Sequence, residues 1–331
     1  MSDFPCWLVD KGADGRIESG MARRGLADLP PGEILVRVLF SSLNYKDALA
    51  ATGNPGVAKR LPQVPGIDAV GLVKESVDPR FKRGDAVMLM GGEFGAGAWG
   101  GWSAYARANA DLVVPLPAGL TLEEGATLGV AGFTAALSVK KLLDHGLAPG
   151  DGEVLVTGAT GGVGAIAVMI LSRLGFAVVA STGKTDRHEW LRSLGATRVL
   201  DRTELENAGS APLLKSIWAG GLDTVGGSTL ATLLRSTRTG GCVTACGLVG
   251  GATIELTVHP FILRGITLAG VDSAWTPRET RLELWKRLAG AWKPGRLAEI
   301  ARMVGLADAA PEIEAILAGR ISGRTLIKVS T

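Results

Sequence analysis

Four glycines between residues 158 and 164 form the most chemically informative pattern in this sequence. The segment VLVTGATGGVGAIAVMILSRLG runs from an apolar strand through Gly158, Gly161, Gly162 and Gly164 into a helix with an apolar face. Such a turn needs glycine for a tight reversal, for close approach of backbone N–H groups to a pyrophosphate, and for packing of helix on strand. The start of the helix adds partial positive charge and free N–H donors. The pattern therefore predicts a dinucleotide-binding site rather than a purely structural turn.

The residues after the next predicted strand indicate which dinucleotide binds. That strand, FAVVAST at 176–182, is not followed directly by the acid with which NAD enzymes hold the ribose 2′-hydroxyl. The polar, small and basic residues in this region are Ser181, Thr182, Gly183, Lys184, Arg187 and Arg198. Hydroxyl donors and positive charges suit a 2′-phosphate. We therefore expect NADPH rather than NADH, although Asp186 leaves a ribose contact open.

Residues that ligate metals are few and scattered. The cysteines and histidines are Cys6, Cys242, Cys246, His145, His188 and His259. They include no C-x-x-C pair and no ligand spacing, so neither a disulfide framework nor a zinc site is expected. Without a Lewis acid, alcohol oxidation loses the group that lowers the hydroxyl pKa. Reduction of an activated double bond or a quinone stays open, because neutral donors can stabilise the resulting oxyanion.

The elements that would hold these residues follow two patterns. Residues 1 to about 125 contain short alternating segments punctuated by Gly and Pro, which is typical of an antiparallel β region. A helix is expected over 121–146, and strand and helix patterns then alternate, which predicts a doubly wound parallel sheet. The C-terminal residues return to strand-like alternation. The predicted fold class is α/β, with a β-rich domain at 1–126 and 298–331 and a dinucleotide-binding domain at 127–297.

Length and composition bound the class of protein. A chain of 331 residues with 47% apolar and 20% charged residues is long enough for two domains and too apolar for extended disorder. Its 35 Lys and Arg against 32 Asp and Glu give a net charge of +3, which argues against a nucleic-acid partner. Residues 1–15 show no cationic segment followed by an apolar one, and no apolar run reaches about 18 residues, so neither secretion nor a membrane span is expected. A cytoplasmic protein with a small-molecule partner and no membrane partner is expected.

Several longer strings carry a family resemblance. They are SSLNYKD at 41–47, PGIDAVG at 65–71, GGCVTACGLVGG at 240–251, PFILRGITLAGVDS at 260–273 and GRTLIKV at 323–329. With these strings the chain resembles the medium-chain dehydrogenase/reductase superfamily, and within it the YhdH/AcuI branch of zinc-free quinone oxidoreductases, which includes NADPH-dependent acryloyl-CoA reductases. The resemblance implies a GroES-like catalytic domain and a Rossmann domain. It also implies a homodimer that pairs the sheet edge beside GVDS.

The resemblance further implies the site residues. Zinc members of the superfamily have a Cys and a His where this chain has Asn44 to Asp47 and Ile67, so no zinc is implied. Asn44 and Tyr45 would lie beside the nicotinamide, and Asp47 would fix their loop. The cofactor-contacting positions that match are Tyr45, Thr160, Gly161, Gly162, Val163, Ser181, Thr182, Gly183, Arg198, Leu248, Ile262, Ser273 and Arg324. Relatives often place Arg where this chain has Lys184, and lysine offers a point charge rather than a planar fork.

The leading hypothesis is NADPH-dependent reduction of acryloyl-CoA to propanoyl-CoA, with hydride transfer to the β-carbon. Tyr45 or Asn44, with backbone donors, would stabilise the thioester enolate, and Tyr45 or water would supply the α-proton. Lys46, Lys59 and Arg60 would face the phosphates of coenzyme A. Two alternatives stay open: quinone or enone reduction with the same cofactor, and a non-catalytic NADPH-binding structural or sensor protein.

Overall fold

The chain folds into two units, each built around its own sheet. The computed structural model describes residues 3–206 and 209–330. Unit 1 contains the residues up to Val130, Ala274–Ala289 and the residues from Leu297 onward, and unit 2 contains Ala131–Ser273 and Gly290–Arg296. Residues 1, 2 and 331 of the predicted β-rich domain lie outside the described residues.

Strands and helices are numbered in chain order over the described residues. The strands are β1 (Phe4–Lys11), β2 (Ile17–Arg24), β3 (Ile34–Leu43), β4 (Asp68–Ser76), β5 (Ala86–Met90), β6 (Tyr105–Ala108), β7 (Val113–Pro115), β8 (Glu153–Val156), β9 (Ala177–Thr182), β10 (Arg198–Asp201), β11 (Trp218–Asp223), β12 (Thr237–Ala245), β13 (Thr267–Gly270), β14 (Ala301–Gly305) and β15 (Arg324–Lys328). The helices are α1 (Tyr45–Ala51), α2 (Leu122–Asp144), α3 (Gly162–Arg173), α4 (His188–Ser193), α5 (Thr203–Glu206), α6 (Gly227–Ser236), α7 (His259–Arg264), α8 (Arg278–Ala289), α9 (Leu297–Ile300) and α10 (Ala309–Leu317).

Alternating apolar residues build the main sheet of unit 1. Over the described residues its strand order is β14–β15–β3–β4–β5–β7, and β6 pairs with residues Ile34 to Arg37 of β3. Val36 and Val38 are completely buried, whereas Arg37 between them is exposed, as the alternation predicts. β15 lies beside β3, so the C-terminal segment returns to the β-rich unit.

The sheet of unit 2 is parallel, with the order β10–β9–β8–β11–β12–β13 over the described residues. Leu155, Val179 and Val243 are completely buried, as expected for strands covered on both faces. β8 has β9 on one side and β11 on the other, so the order of the strands reverses at β8. Sheets of this kind bind ligands at the carboxyl ends of the strands beside such a reversal, which is where the glycine turn begins.

The helix predicted over 121–146 forms, but it is broken at Gly129, which has φ 45° and ψ −150°. Asp68 Oδ2 accepts the N–H of Val130 at 2.9 Å, so a carboxylate from β4 caps the part of α2 that follows the break. A Cβ at Gly129 would lie 2.4 Å from the same oxygen. The break therefore depends on a contact between residues far apart in the sequence, which helical periodicity does not reveal.

α2 is also the described helix whose length and apolar composition would allow it to cross a membrane. However, 78% of its apolar window is buried inside the protein. Such burial is typical of a core helix, so its composition is weak evidence for a membrane span.

The segment Ala274–Ala289 packs with unit 1, whereas the predicted bounds include it in the dinucleotide-binding domain. Arg278 Nη1 donates to the carbonyl of Val113 at 2.8 Å, and Arg281 Nη1 donates to the carbonyl of Asp111 at 3.0 Å. These two arginines of α8 satisfy backbone oxygens next to β7. Unit 2 is therefore not continuous over the predicted range 127–297, because Ala274–Ala289 belongs to unit 1. The helical pattern of this segment does not show which unit it contacts.

Candidate functional site

The glycine turn of unit 2 connects the end of β8 to α3. Gly158 has φ +58°, and a Cβ there would lie 2.2 Å from Thr224 Oγ1. A Cβ at Gly164 would lie 2.5 Å from the carbonyl oxygen of Gly158, so glycine allows the helix to approach the turn. Gly161 precedes the first residue of α3, and the first N–H groups of the helix have no partner within it. This strand–turn–helix geometry can bind a pyrophosphate.

The end of β9 lies directly beside this turn. The N–H of Ala159 donates to the carbonyl of Ser181 at 3.0 Å, and the hydroxyls of Thr160 and Thr182 are 3.1 Å apart. Thr182 Oγ1 also accepts the N–H of Lys184 at 3.1 Å. The structure thus brings together the two segments that the sequence assigns to the pyrophosphate and the 2′-phosphate. Ser181 and Thr182 are buried, so they lie beneath the surface at the end of β9 and do not expose their hydroxyls as a series of donors.

The position predicted for Arg198 is wrong. Arg198 begins β10, at the amino end of the sheet, where its Nη2 lies 2.8 Å from Glu153 Oε2 and its guanidinium lies 5.6 Å from the centre of the Trp218 ring. The amino ends of parallel strands lie opposite the edge that holds the glycine turn. Arg198 therefore cannot serve a phosphate at that turn from this position.

Arg202 is the arginine that the sequence reasoning missed. It follows the carboxyl end of β10, and its N–H donates to the carbonyl of Thr182 at 3.0 Å. A Cβ at Gly183 would lie 2.5 Å from Arg202 Nε, so the guanidinium lies over this glycine. The signal was available, since a strand that begins at Arg198 and runs parallel to β9 delivers its last residues, and not its first, to the ligand-binding edge.

Several basic residues lie close to Gly183, at the carboxyl end of β9. Lys184 is partly buried, and burial together with the nearby Arg187 lowers its pKa. Asp186, the acid that left a ribose contact open, lies within 3.2 Å of Arg187 Nε. This pair occupies Asp186 and offsets the charge of Arg187, and Arg202 Nε lies 3.8 Å from Glu206 Oε1. With Lys184 the region keeps a net positive charge, which favours an anionic ligand such as a 2′-phosphate.

The other predicted cofactor residues of unit 2 lie on three different segments. Leu248 follows the carboxyl end of β12 and is 60% exposed. Ser273 follows the carboxyl end of β13 and is partly exposed. Ile262 lies on α7, ahead of β13, and is 70% exposed. Leu248 lies in the loop after β12, at the same carboxyl edge of the sheet as the glycine turn. No contact among the described residues places Ile262 at that edge.

In unit 1 the predicted catalytic residues lie where β3 leads into α1. Asn44 precedes the helix with extended φ −112° and ψ 161°, and Asp47 stands in the first turn. Asp47 Oδ2 accepts both the backbone N–H and the side-chain Nδ2 of Asn44 at 2.8 Å. Asp47 Oδ1 accepts the N–H groups of Gly66 at 3.0 Å and Ile67 at 2.7 Å. The carboxylate therefore joins the start of α1 to the loop before β4.

Asp47 is completely buried, and its oxygens accept four N–H donors. Burial, and to a lesser extent the charge of Asp68, raises the pKa of Asp47 to about 7, while the hydrogen bonds oppose this shift. A carboxylate engaged in this way has no oxygen free for a substrate. Its geometry fits the loop-fixing role and not direct chemistry.

Asn44 is engaged in the same manner. Besides Asp47, its Nδ2 contacts Ser42 Oγ at 3.2 Å and Asp68 Oδ2 at 3.3 Å, and its Oδ1 accepts from Arg324 Nη1 at 3.0 Å. The expectation that Asn44 donates to an enolate is therefore wrong for this geometry, because both ends of the amide are used by protein groups.

Arg324 lies inside unit 1 and is 3% exposed. Its Nη2 donates to Ser42 Oγ at 2.7 Å and lies 3.9 Å from Asp68 Oδ2, and its Nε donates to the carbonyl of Thr127 at 2.9 Å. Burial lowers its pKa, while Asp68 and Asp47 act in the opposite direction. The cofactor contact expected of Arg324 does not fit a buried guanidinium whose Nε, Nη1 and Nη2 each donate to a protein group. Sequence reasoning missed Ser42 and Asp68 as its partners, although a charged residue at the start of the apolar run DAVGLV was a signal.

Tyr45 differs from its neighbours because its reactive group is not engaged. It is the first residue of α1 and is partly exposed. Over residues 3–206 and 209–330, the structure shows no hydrogen-bond partner for its hydroxyl. Of Asn44, Tyr45 and Asp47, Tyr45 therefore has a donor available to a ligand. In the same part of the chain, no group of three or more His, Cys, Asp or Glu side chains could hold a metal ion.

The fold and these sites are those of a two-domain, dinucleotide-dependent oxidoreductase. The family model of the alcohol dehydrogenase GroES-like domain matches residues 30–118, and that of the zinc-binding dehydrogenases matches residues 162–289. The chain therefore has the two domains of the medium-chain dehydrogenase/reductase superfamily, as the α/β prediction with GroES-like and Rossmann domains implies.

Within this superfamily the chain belongs to the AcuI/YhdH family. It is 47% identical over 317 residues to the probable acrylyl-CoA reductase AcuI of Escherichia coli (strain K12), which covers 96% of this chain and 97% of the relative. It is 43% identical over 328 residues to the acrylyl-CoA reductase AcuI of Ruegeria pomeroyi, with 99% of both chains covered. The crystal structure of the yhdH oxidoreductase from Salmonella enterica in complex with NADP matches with a TM-score of 0.95 at 45% identity, covering 98% of this chain and 100% of that one. The predicted family is confirmed.

Proposed function

We propose that this protein reduces the activated double bond of an α,β-unsaturated acyl thioester with NADPH, with acryloyl-CoA as substrate and propanoyl-CoA as product. The observation that carries the proposal is the likeness, over 96% and 99% of the chain, to two relatives named as acrylyl-CoA reductases. The glycine turn of unit 2 and the unengaged hydroxyl of Tyr45 in unit 1 are the features on which the reaction would depend.

The residues of unit 2 fit NADPH as the cofactor. The N–H groups at Gly162 and Val163 would bind the pyrophosphate at the start of α3. Lys184, Arg187 and Arg202 would pair with the 2′-phosphate above Gly183. Leu248 and Ser273, which follow neighbouring strands at their carboxyl ends, stay proposed cofactor contacts.

The chemistry would need one donor from unit 1. When bound, the dihydronicotinamide supplies the hydride that adds to the substrate β-carbon. Tyr45 would donate a hydrogen bond to the thioester oxygen, where negative charge develops as the β-carbon is reduced. Asn44 and Asp47 would position Tyr45 by fixing the start of α1, and a proton from Tyr45 or water would complete the α-carbon. The exposed Lys46, Lys59 and Arg60 would face the phosphates of coenzyme A.

The test is a comparison of specificity constants with NADPH for acryloyl-CoA, crotonyl-CoA and a simple quinone. We expect the highest kcat/KM for acryloyl-CoA and propanoyl-CoA as the product identified by mass spectrometry. A higher kcat/KM for the quinone would replace this proposal with the quinone reductase alternative. Tight NADPH binding with no oxidation by any of the three acceptors would favour a non-catalytic role.

We further propose a cytoplasmic homodimer. β13 is the last strand of its sheet, and α7 just before it exposes apolar side chains that include Leu263. A second copy pairing with β13 would cover this edge and these side chains. A cytoplasmic location fits three free cysteines, of which Cys6 and Cys242 are buried, since a reducing compartment keeps thiols unpaired.

A further inference from the structure

Asp223 is a buried carboxyl group for which the proposed chemistry has no use. It is the last residue of β11 and is completely buried at the carboxyl edge of the sheet in unit 2. Its partners come from the loops that follow β8, β11 and β12. We propose that Asp223 and Thr157 are positioning residues that hold these three loops in the arrangement that binds the dinucleotide. This inference rests on the proposed use of NADPH and names residues that do not touch it.

The first loop is the glycine turn. Thr157 Oγ1 donates to Asp223 Oδ1 at 2.6 Å and accepts the N–H of Thr224 at 3.1 Å. Thr224 Oγ1 donates in return to the carbonyl of Thr157 at 2.9 Å. Since Thr157 immediately precedes Gly158, these bonds fix the point at which the chain leaves β8 and enters the turn.

The second loop is the one that Asp223 itself begins. Asp223 Oδ2 accepts the N–H of Val225 at 3.2 Å and of Gly226 at 2.7 Å. Gly226 has φ +78° and Gly227 has φ +54°, so this segment follows a path that other residues rarely adopt. The carboxylate therefore holds the sharp turn that leads into α6.

The third loop carries Leu248. The N–H of Cys246 donates to the backbone carbonyl of Asp223 at 3.0 Å, and the N–H of Gly250 donates to the carbonyl of Val225 at 2.8 Å. A Cβ at Gly247 would lie 2.0 Å from the carbonyl oxygen of Thr224, so this loop packs on the second loop without space for a side chain. A displacement of Asp223 would therefore change the positions of all three loops.

The donor count explains why an acid stands at this position. Three donors, the Thr157 hydroxyl and the N–H groups of Val225 and Gly226, converge on one buried side chain. A carboxylate accepts all three, whereas an amide offers one acceptor oxygen and places N–H groups where Thr157 needs an acceptor. Burial raises the pKa of Asp223, and these hydrogen bonds act against that shift.

The test compares Thr157→Val, which keeps the shape and removes the hydroxyl, with Thr157→Ser, which keeps the hydroxyl. We expect Thr157→Val to raise the Kd and the KM for NADPH about tenfold while kcat stays within about twofold of the wild type. Thr157→Ser should bind NADPH nearly as the wild type does. The two single variants Thr157→Val and Asp223→Asn are also combined. The Kd of the double variant for NADPH should not exceed that of the weaker-binding single variant, because both changes break the same hydrogen-bonded network.

Two results would overturn the inference. One is a Thr157→Val variant whose thermal midpoint falls while its Kd for NADPH is unchanged, which would leave only a structural role. The other is a Thr157→Ser variant that binds as weakly as Thr157→Val, since the hydroxyl would then not matter. The Kd is measured by fluorescence titration of NADPH alone. A wild-type protein that binds NADPH but does not reduce acryloyl-CoA would therefore contradict the proposed function and leave this test intact.

Discussion

The buried side chains of unit 1 hold two carboxylates and one guanidinium within a single hydrogen-bonded group. Asp47 and Asp68 share the Nδ2 of Asn44, and Arg324 donates to the other end of the same amide. Hydrogen-bond donors offset the cost of burying this charge, among them the N–H groups at Asp47 and the Ser42 hydroxyl at Asp68, and Arg324 Nη2 lies 3.9 Å from Asp68 Oδ2. Removing any one partner would leave a buried polar group unsatisfied, which is costly.

Asp47 should make the stability of the protein depend on pH. Its pKa is raised from 3.8 to about 7, so between these values the folded state retains a proton that the unfolded chain releases. This contribution to stability is complete below the lower value and is lost as the pH rises through about 7. We expect the free energy of unfolding to fall more steeply from about pH 4 to 7 in the wild type than in Asp47→Asn, measured by urea denaturation. Parallel curves for the two proteins would contradict this assignment.

Tyr45→Phe should separate chemistry from binding. The change removes the hydroxyl that has no partner among the described residues, so we expect kcat for acryloyl-CoA to fall about a hundredfold while the Kd for NADPH changes little. The matched control is Tyr105→Phe, because Tyr105 packs edge-on against Phe4 with ring centres 5.5 Å apart. Equal effects of the two changes would remove Tyr45 from the reaction.

Arg202→Ala should weaken the binding of NADPH. Loss of a charge-assisted contact predicts a rise of about tenfold or more in the KM for NADPH, with little change in the KM for NADH, which lacks the 2′-phosphate. Arg198→Ala is the control, since Arg198 is paired with Glu153 at the opposite end of the sheet. Steady-state kinetics with both cofactors decide, and a loss of selectivity in Arg198→Ala alone would reverse our assignment.

At the scale of elements, sequence patterns correctly predicted the strands, turns and helices that depend on residues close together in the chain. The strand, glycine turn and helix of residues 154–173 follow from apolar periodicity and glycine spacing. The error at Arg198 was avoidable, because Arg198 was assigned from its charge although a strand that begins there places it at the end of the sheet opposite the glycine turn. The engagement of Asn44 could not be foreseen either, since Arg324 and Asp68 reach it from distant parts of the chain.

The break in α2 is an element whose cost can be measured. Gly129→Ala would place a Cβ 2.4 Å from Asp68 Oδ2 on a backbone that side chains rarely adopt. We expect it to lower the free energy of unfolding by about 3 kcal/mol or more in urea denaturation. Gly146→Ala is the control, because φ there is +100° but no atom other than those of its chain neighbours lies within 4 Å of the added Cβ. Its cost should be only that of the backbone, about 1 kcal/mol, and equal costs would show that the contact with Asp68 is unimportant.

At the scale of the whole molecule, the uncovered edge of unit 2 predicts self-association. Leu263→Glu places a charge on the 60% exposed apolar side chain of α7 beside β13, and we expect it to convert a dimer into a monomer. Light scattering coupled to size-exclusion chromatography measures the mass. Val77→Glu, at an 83% exposed position of unit 1, should leave the dimer intact. A wild-type protein that elutes as a monomer would contradict the homodimer directly.

The order in which the strands of unit 1 follow one another has a consequence for synthesis on the ribosome. β3 pairs through Phe40 to Leu43 with β15, yet β7, the last strand of the early part of this sheet, ends at Pro115 and β15 begins only at Arg324. Translation proceeds at roughly 5–20 residues per second, so Phe40 to Leu43 of β3 remain without their partner strand for roughly 10–40 seconds while unit 2 is synthesised. The nascent chain thus carries an open strand edge, a site where wrong pairing begins, throughout most of its translation.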